Sequence, residues 1–152
     1  MRVPGGCSSP SSFAVVWDAV QHEVDEITVL LIEDDQTFAD MYRFRLELDG
    51  YRVIEVHDGK AALEVATTAR PDLIFLDIKL PHVDGLTVLE ALRADPSTRH
   101  TPVVILSAYG EDDLRQRGLM LGALEYLIKS HVVPDEVSRA IQGWAAGVPR
   151  GD

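Results

Sequence analysis

Five short apolar runs alternate with five stretches whose apolar residues recur at helical spacing, and this alternation constrains the fold most strongly. The helical stretches include a stripe from Phe38 to Leu46 and a segment that Asp84 can cap and that ends near Pro96. Strand–helix alternation of this kind predicts a parallel sheet with right-handed crossovers. The runs are Ile27–Ile32, Tyr51–Val56, Leu73–Leu76, Val103–Leu106 and Leu124–Ile128, and the remaining helices are Gly59–Arg70, Glu111–Leu121 and Pro134–Gly147.

Charges within the apolar runs predict the order of the strands. The second run carries Arg52 and Glu55 and the fifth carries Glu125, whereas the other three are uninterrupted. Because edge strands tolerate charge and central strands do not, the second and fifth runs should lie at the edges. The predicted fold is α/β and flavodoxin-like: a doubly wound five-stranded parallel sheet, order 2-1-3-4-5, with five surrounding helices.

Polar side chains follow four of the predicted strands, and the carboxyl ends of parallel strands meet at the edge where ligands bind. Carboxylates from the neighbouring first and third strands would repel one another unless they took up protons or a cation. A hard divalent cation removes the conflict, and few ligands in an open, hydrated site indicate Mg²⁺. The polar residues are Glu33, Asp34 and Asp35 after the first run, Asp77 after the third, Ser107 after the fourth and Lys129 after the fifth.

This set of groups suits phosphoryl transfer to a carboxylate. Asp77 is the candidate nucleophile. The metal and Lys129 would neutralise the phosphoryl oxygens, and Ser107 would donate a hydrogen bond to one of them. Positioning and charge neutralisation are most of what such a reaction needs.

The chain resembles the receiver domain of two-component response regulators over about residues 27–147, in particular the stand-alone receivers of the chemotaxis or sporulation type. The resemblance implies that Asp77 is phosphorylated by a histidine kinase or a histidine phosphotransfer protein. The motifs that carry it are Leu31-Ile32-Glu33-Asp34-Asp35, Pro71–Asp77 with Pro81, Val103–Ala108, and Gly122-Ala123 followed by Tyr126 and Lys129.

The resemblance also implies a role for each matched site residue. Glu33 and Asp34 would build the Mg²⁺ pocket, with Asp34 and Asp77 as side-chain ligands and the backbone carbonyl of Lys79 completing the protein's share. Ser107 would be the hydroxyl and Tyr126 the aromatic residue that move during switching. Lys129 would be the invariant-type lysine of the family, which neutralises the phosphoryl oxygens.

Phosphorylation would add roughly two charges and three acceptor oxygens. Ser107 would then move toward the phosphoryl group and Tyr126 would turn into the vacated space. The face built from the fourth helix, fifth strand and fifth helix would change and bind a downstream protein target. No effector domain is expected after the fifth helix, so the output is expected to pass through protein binding unless the chain is a fragment of a longer protein. Homodimerisation through this face is a further possibility.

Three residues depart from the family pattern or modify it. Ser130 stands where the family usually has proline, so the Lys129–Ser130 bond is expected to be trans and the loop path to differ. Lys79 and Tyr109 lie two places after Asp77 and Ser107, where they can obstruct the water that hydrolyses the acyl phosphate. A longer-lived phosphoryl group is the expectation.

Composition restricts the partners and the location. The net charge of −11 argues against direct nucleic-acid binding and predicts repulsion from anionic membranes. No apolar run approaches the length of a membrane span. Cys7 is the only cysteine, so no internal disulfide can form, which fits a cytoplasmic location.

The N-terminal residues 1–26 precede the strand–helix alternation. We expect an extension over residues 1–26, a receiver domain over residues 27–148 and a short tail over residues 149–152. Residues 1–10 are rich in proline, glycine and serine, and a helical stripe follows from Ser12 to Ile27. It is either a leader without structural role, a helix that packs on the receiver, or a contact for a dimer or partner. The stripe consists of Phe13, Val16, Trp17, Val20, Val24 and Ile27.

Purely structural roles for these residues, and other functions for the chain, remain open at this point. Asp77 could cap the following turn, and Tyr126 could be a half-buried edge-strand aromatic with no role in switching. The chain could be a pseudo-receiver that binds partners without carrying phosphate. A Mg²⁺-dependent phosphatase is disfavoured, because such enzymes usually have a second acid two places after the nucleophile, where Lys79 stands here. The chain is therefore expected not to be an enzyme beyond its own phosphorylation and dephosphorylation.

Overall fold

The structure is a computed structural model that describes residues 26–150. The predicted helical stripe from Ser12 onward lies outside the described residues, except for its last positions. Among the described residues there are five strands and five α-helices, with a short 3₁₀ helix at Lys129–His131. The strands are β1 Thr28–Ile32, β2 Arg52–Val56, β3 Leu73–Leu76, β4 Val103–Ser107 and β5 Glu125–Ile128; the helices are α1 Gln36–Leu48, α2 Gly59–Ala69, α3 Gly85–Ala94, α4 Asp112–Met120 and α5 Pro134–Ala145.

All five strands are parallel and lie in the order β2-β1-β3-β4-β5, which confirms the predicted fold class and strand order. The central strands end level with one another, since Ile32 of β1 lies opposite Leu76 of β3, and Leu76 lies opposite Ile105 of β4. Glu33 and Asp77 each follow one of these paired ends. The register therefore brings the residues after the strands to one edge.

Alternate residues of the central strands enter two separate hydrophobic cores, one on each face of the sheet. Ile74 and Leu76 point toward α2, α3 and α4, whereas Leu73 and Phe75 point toward α1 and α5. Trp144 of α5 is fully buried and lies edge-on to Phe75, with ring centroids 5.7 Å apart, so its predicted core position is confirmed. Strands buried on both faces explain the uninterrupted apolar runs in the sequence.

Several predicted element ends differ from the structure. Ile27 is not helical, because its carbonyl accepts a hydrogen bond from the Arg52 N–H where β1 and β2 begin to pair. Ser107 belongs to β4 rather than following it. The helix expected to run to Arg70 ends at Ala69, since Arg70 adopts a left-handed conformation with φ of 49° immediately before Pro71. The expected cap at Asp84 is confirmed, because its side chain accepts from the Leu86 N–H.

The edge strand β2 accommodates its two charges in different ways, Glu55 by pairing with basic side chains and Arg52 by exposure to solvent. The side chain of Glu55 is only 7% exposed and lies 3.6 Å from the Arg43 guanidinium and 2.9 Å from His57 Nε2. Arg52 is exposed. Within residues 26–150, no helix has both the length and the apolar character needed to cross a bilayer.

Candidate functional site

Asp77 lies immediately after β3, at the centre of the carboxyl edge of the sheet, and is 6% exposed. Its Oδ1 accepts a hydrogen bond from the Lys79 N–H at 3.2 Å. The start of α3 packs directly on this loop: a Cβ at Gly85 would lie 2.4 Å from the Asp77 carbonyl oxygen and 2.6 Å from the Ile78 Cα. Glycine at position 85 therefore permits the close approach that holds the Asp77 loop.

Lys129 connects the end of β5 to the acids at the centre of the sheet. Its Nζ lies 2.5 Å from Glu33 Oε1 and 3.3 Å from Asp77 Oδ2. Its Nζ also lies 4.4 Å from the centroid of the Phe38 ring, on α1. The side chain is 17% exposed, so the ammonium is held largely out of water by these three contacts.

The three consecutive acids after β1 occupy three different environments. Glu33 is 1% exposed and faces Lys129, and its Oε2 accepts a hydrogen bond from the Asp35 N–H at 3.0 Å. Asp34 is exposed. Asp35 is the N-cap of α1, where its Oδ1 accepts from the Phe38 N–H at 3.2 Å. The sequence prediction placed the acids together but did not identify Asp35 as the cap.

Glu33, Asp34 and Asp77 each offer a carboxylate oxygen to one small volume, with these oxygens within 4.8 Å of one another. Three hard oxygen donors around a partly open position match the preference of Mg²⁺ for carboxylates and retained water. The donor set therefore fits a small divalent cation.

The pKa shifts in the cluster are those expected where two carboxylates share the single positive charge of Lys129. Burial raises the pKa of the Glu33 carboxyl, and the negative charge of Asp77 adds to this rise against the opposing hydrogen bonds from Lys129 and Asp35. Burial alone would lower the pKa of Lys129, but its contacts with Glu33 and Asp77 outweigh burial and raise it. Lys129 is consequently a cation at neutral pH, and it is shared between two acids.

Ser107 and Tyr126 are connected through the backbone of Tyr109. Ser107 is fully buried, and its Oγ accepts a hydrogen bond from the Tyr109 N–H at 3.0 Å. The Tyr109 carbonyl accepts from the Tyr126 hydroxyl at 2.5 Å. Tyr126 is 4% exposed, so the edge-strand aromatic is buried rather than half-buried.

Lys79 and Tyr109 contact each other at the rim of the site. Lys79 Nζ lies 5.2 Å from the centroid of the Tyr109 ring, which is within the range of a cation–π interaction. Tyr109 is 45% exposed. Sequence reasoning identified both residues by their spacing from Asp77 and Ser107, but the contact between them depends on the loops and could not be predicted.

The structure thus brings Lys129 into direct contact with both Glu33 and Asp77, with Asp34 beside them and Ser107 at the same edge. No peptide bond is cis among the described residues, so the Lys129–Ser130 bond is trans as expected. Lys129 nevertheless reaches both acids from the first position of the short 3₁₀ helix. The departure at Ser130 does not displace the lysine from the site.

Comparisons with known proteins agree on one family. The family model described as the response regulator receiver domain matches residues 29–142. RpaA of Synechocystis, a DNA-binding dual master transcriptional regulator, is 39% identical over 111 residues, which are 73% of this chain and 46% of RpaA. The chain spans about half the length of such curated relatives.

Two further proteins are similar over most of their own length. The polar-differentiation response regulator DivK of Brucella anthropi is 36% identical over 107 residues, which are 70% of this chain and 87% of DivK. The receiver domain of a sensor histidine kinase from Pseudomonas aeruginosa is 31% identical with a TM-score of 0.73, over 80% of this chain and 98% of that domain. That domain was solved with a magnesium ion coordinated in its active site cleft.

Proposed function

The chain belongs to the response regulator receiver domain family, and from this premise we propose that Asp77 is its phosphoacceptor in a two-component phosphorelay. Receiver domains take part in phosphorelays and are not enzymes in the usual sense. The observation that carries the proposal for Asp77 is its position between the Lys129 ammonium, 3.3 Å away, and the carboxylates of Glu33 and Asp34.

In the proposed reaction, a carboxylate oxygen of Asp77 attacks the phosphorus of a phosphohistidine on a histidine kinase or histidine phosphotransfer protein. The new phosphorus–oxygen bond forms as the phosphorus–nitrogen bond breaks, and the imidazole leaves with the electron pair. Lys129 would neutralise charge on the phosphoryl oxygens. Ser107 would donate a hydrogen bond from its hydroxyl to one of them; before phosphorylation its oxygen accepts from the Tyr109 N–H.

Glu33, Asp34 and Asp77, together with the backbone carbonyl of Lys79, would hold Mg²⁺. When bound, the ion would supply the positive charge that neutralises the phosphoryl oxygens during transfer. The magnesium ion in the related receiver domain from Pseudomonas aeruginosa supports this assignment. Lys129 and the Asp35 N–H would orient the Glu33 carboxylate within this site.

The output is proposed to pass through the face formed by α4, β5 and α5. A phosphoryl group on Asp77 would draw Ser107 toward it and break the hydrogen bond from the Tyr109 N–H. Because the Tyr109 carbonyl holds the Tyr126 hydroxyl, movement of that backbone would release Tyr126. A protein partner, or a second copy of the chain, would then bind the altered face preferentially.

The test is the intact mass of the protein after incubation with acetyl phosphate and Mg²⁺, beside Asp77→Asn. A single phosphoryl adduct that requires Mg²⁺ and is absent from Asp77→Asn is the expected result. No adduct under conditions that label an ordinary receiver would indicate a pseudo-receiver, which binds partners without phosphate. An adduct that persists in Asp77→Asn would place the chemistry on another residue.

A further inference from the structure

Helix α1 carries an apolar stripe on the side that faces away from the core. Met41, Phe44 and Leu48 are 47%, 70% and 66% exposed, and they recur three and four positions apart. We call these three residues the outer stripe of α1. The buried residues of the same helix, Ala39, Tyr42 and Leu46, form the opposite stripe. A helix that is apolar on both sides has a second face to cover.

Ion pairs run along both sides of the outer stripe. Arg43 pairs with Glu47 at 3.0 Å on one side, and Arg45 pairs with Asp49 at 3.0 Å on the other. An apolar strip with a polar border is the composition expected of a contact surface rather than of scattered exposed residues.

We infer that residues 12–20 of this chain dock as an amphipathic helix on the outer stripe of α1. Phe13, Val16, Trp17 and Val20 recur at spacings of three, four and seven, which places them on one helical face. From Phe13 to Val20 such a helix would present about 10 Å of apolar surface. The outer stripe, which spans the same number of residues from Met41 to Leu48, has a matching length.

The position of the first described residues allows this contact. The Ile27 carbonyl accepts from the Arg52 N–H, and the neighbouring Tyr51 N–H donates to the Leu46 carbonyl, so the chain enters the fold near the end of α1 that carries Leu48. The five residues 21–25 can extend over about 17 Å. That reach is sufficient to pass around a helix about 10–12 Å across and return along its outer face.

The small size of the outer stripe favours a tethered segment over a separate protein. Three side chains fall far short of the roughly 800 Å² that each partner contributes to a stable complex. A segment joined by five residues is present at an effective concentration in the millimolar range, so a small contact is enough. The occupant is therefore expected to be this chain's own N-terminal segment.

The fluorescence of Trp17 in the full-length chain tests the inference. Trp144 is the other tryptophan and is fully buried, so the difference between the wild type and Trp17→Phe reports on Trp17. We expect Trp17 to be shielded from acrylamide, and the quenching constant to rise several-fold when Phe44→Glu and Leu48→Glu are combined. Met120→Glu, at a residue 85% exposed on α4, is the matched control and should leave Trp17 shielded.

Three outcomes would overturn the inference. Trp17 could be quenched as readily in the wild type as in a free peptide, or its shielding could survive the combined Phe44→Glu and Leu48→Glu changes. Shielding that is lost on dilution would mean that the segment binds a second copy of the chain instead. None of these outcomes bears on phosphorylation of Asp77.

Discussion

The ammonium of Lys129 lies 2.5 Å from the carboxylate of Glu33, a side chain that is almost wholly buried. The same ammonium lies 3.3 Å from Asp77. One cation therefore serves two acids that are themselves almost wholly buried. Removal of the Lys129 ammonium would leave both carboxylates without a compensating charge.

Lys129→Met is expected to lower the free energy of unfolding by about 1–3 kcal/mol at neutral pH, because Glu33 and Asp77 then face each other unpaired. It should also slow phosphorylation by acetyl phosphate. Urea denaturation and time-resolved intact mass measure the two effects. Lys60→Met, at an exposed lysine of α2, should change neither. An unaltered stability of Lys129→Met would show that the ion pair is not structurally important.

Asp34 and Asp35 are neighbours with separable roles. Asp34 is exposed and belongs to the oxygen cluster, so Asp34→Asn should weaken Mg²⁺ binding by at least about tenfold without lowering metal-free stability. Asp35→Ala removes the α1 cap and should cost about 1 kcal/mol. Calorimetric Mg²⁺ titration and urea denaturation separate the two effects.

Asp35→Ser is the control for the cap, because a serine hydroxyl can accept the same N–H. It should retain most of the stability that Asp35→Ala loses. If Asp34→Asn instead unfolds the protein, or binds Mg²⁺ as well as the wild type, the assignment of Asp34 as a ligand is wrong.

Lys79 and Tyr109 are expected to prolong the phosphorylated state by covering the approach to Asp77. Lys79→Ala and Tyr109→Ala should each shorten its half-life several-fold, as measured by intact mass after the phosphodonor is removed. Because the two side chains contact each other, the double variant should lose phosphate faster than either single variant, but by less than the two separate effects combined. Lys60→Ala is the matched control. Slower loss in either variant would contradict the shielding role.

The Tyr126 hydroxyl is expected to order the backbone at Tyr109. Tyr126→Phe keeps the buried ring but removes the 2.5 Å hydrogen bond to the Tyr109 carbonyl, and should cost about 0.5–1.5 kcal/mol. Amide exchange at Tyr109 and Gly110 should become faster. Tyr109→Phe retains the backbone carbonyl and should leave that exchange unchanged. Equal exchange in Tyr126→Phe and the wild type would remove the proposed link between Ser107 and Tyr126.

The sheet and its order could be predicted because local composition reports burial directly. Leu73–Leu76 is apolar at every position since both of its faces are covered, whereas Arg52 and Glu55 indicate an edge. Once the order was known, the acids after β1 and β3 had to meet. The central features of the site therefore followed from strand ends alone.

Features that depend on loops and on close packing could not be predicted in the same way. Asp34 lies in the oxygen cluster and Asp35 caps α1, and which of them does which depends on where α1 begins. Apolar periodicity specifies helix boundaries poorly. The close approach of Gly85 to the Asp77 carbonyl is a tertiary contact that no local pattern reports. The same holds for the Lys79–Tyr109 contact and for the hydrogen bonds through the Tyr109 backbone.

Chemical mapping of the modified residue tests most directly whether Asp77 itself carries the phosphoryl group. Borohydride reduces an aspartyl phosphate to homoserine with release of phosphate, so peptide mass locates the modified position. After treatment with acetyl phosphate and Mg²⁺, we expect homoserine at residue 77 and at no other acid of the peptides recovered. Homoserine at residue 34 or 35, or none although the intact protein carries an adduct, would contradict it.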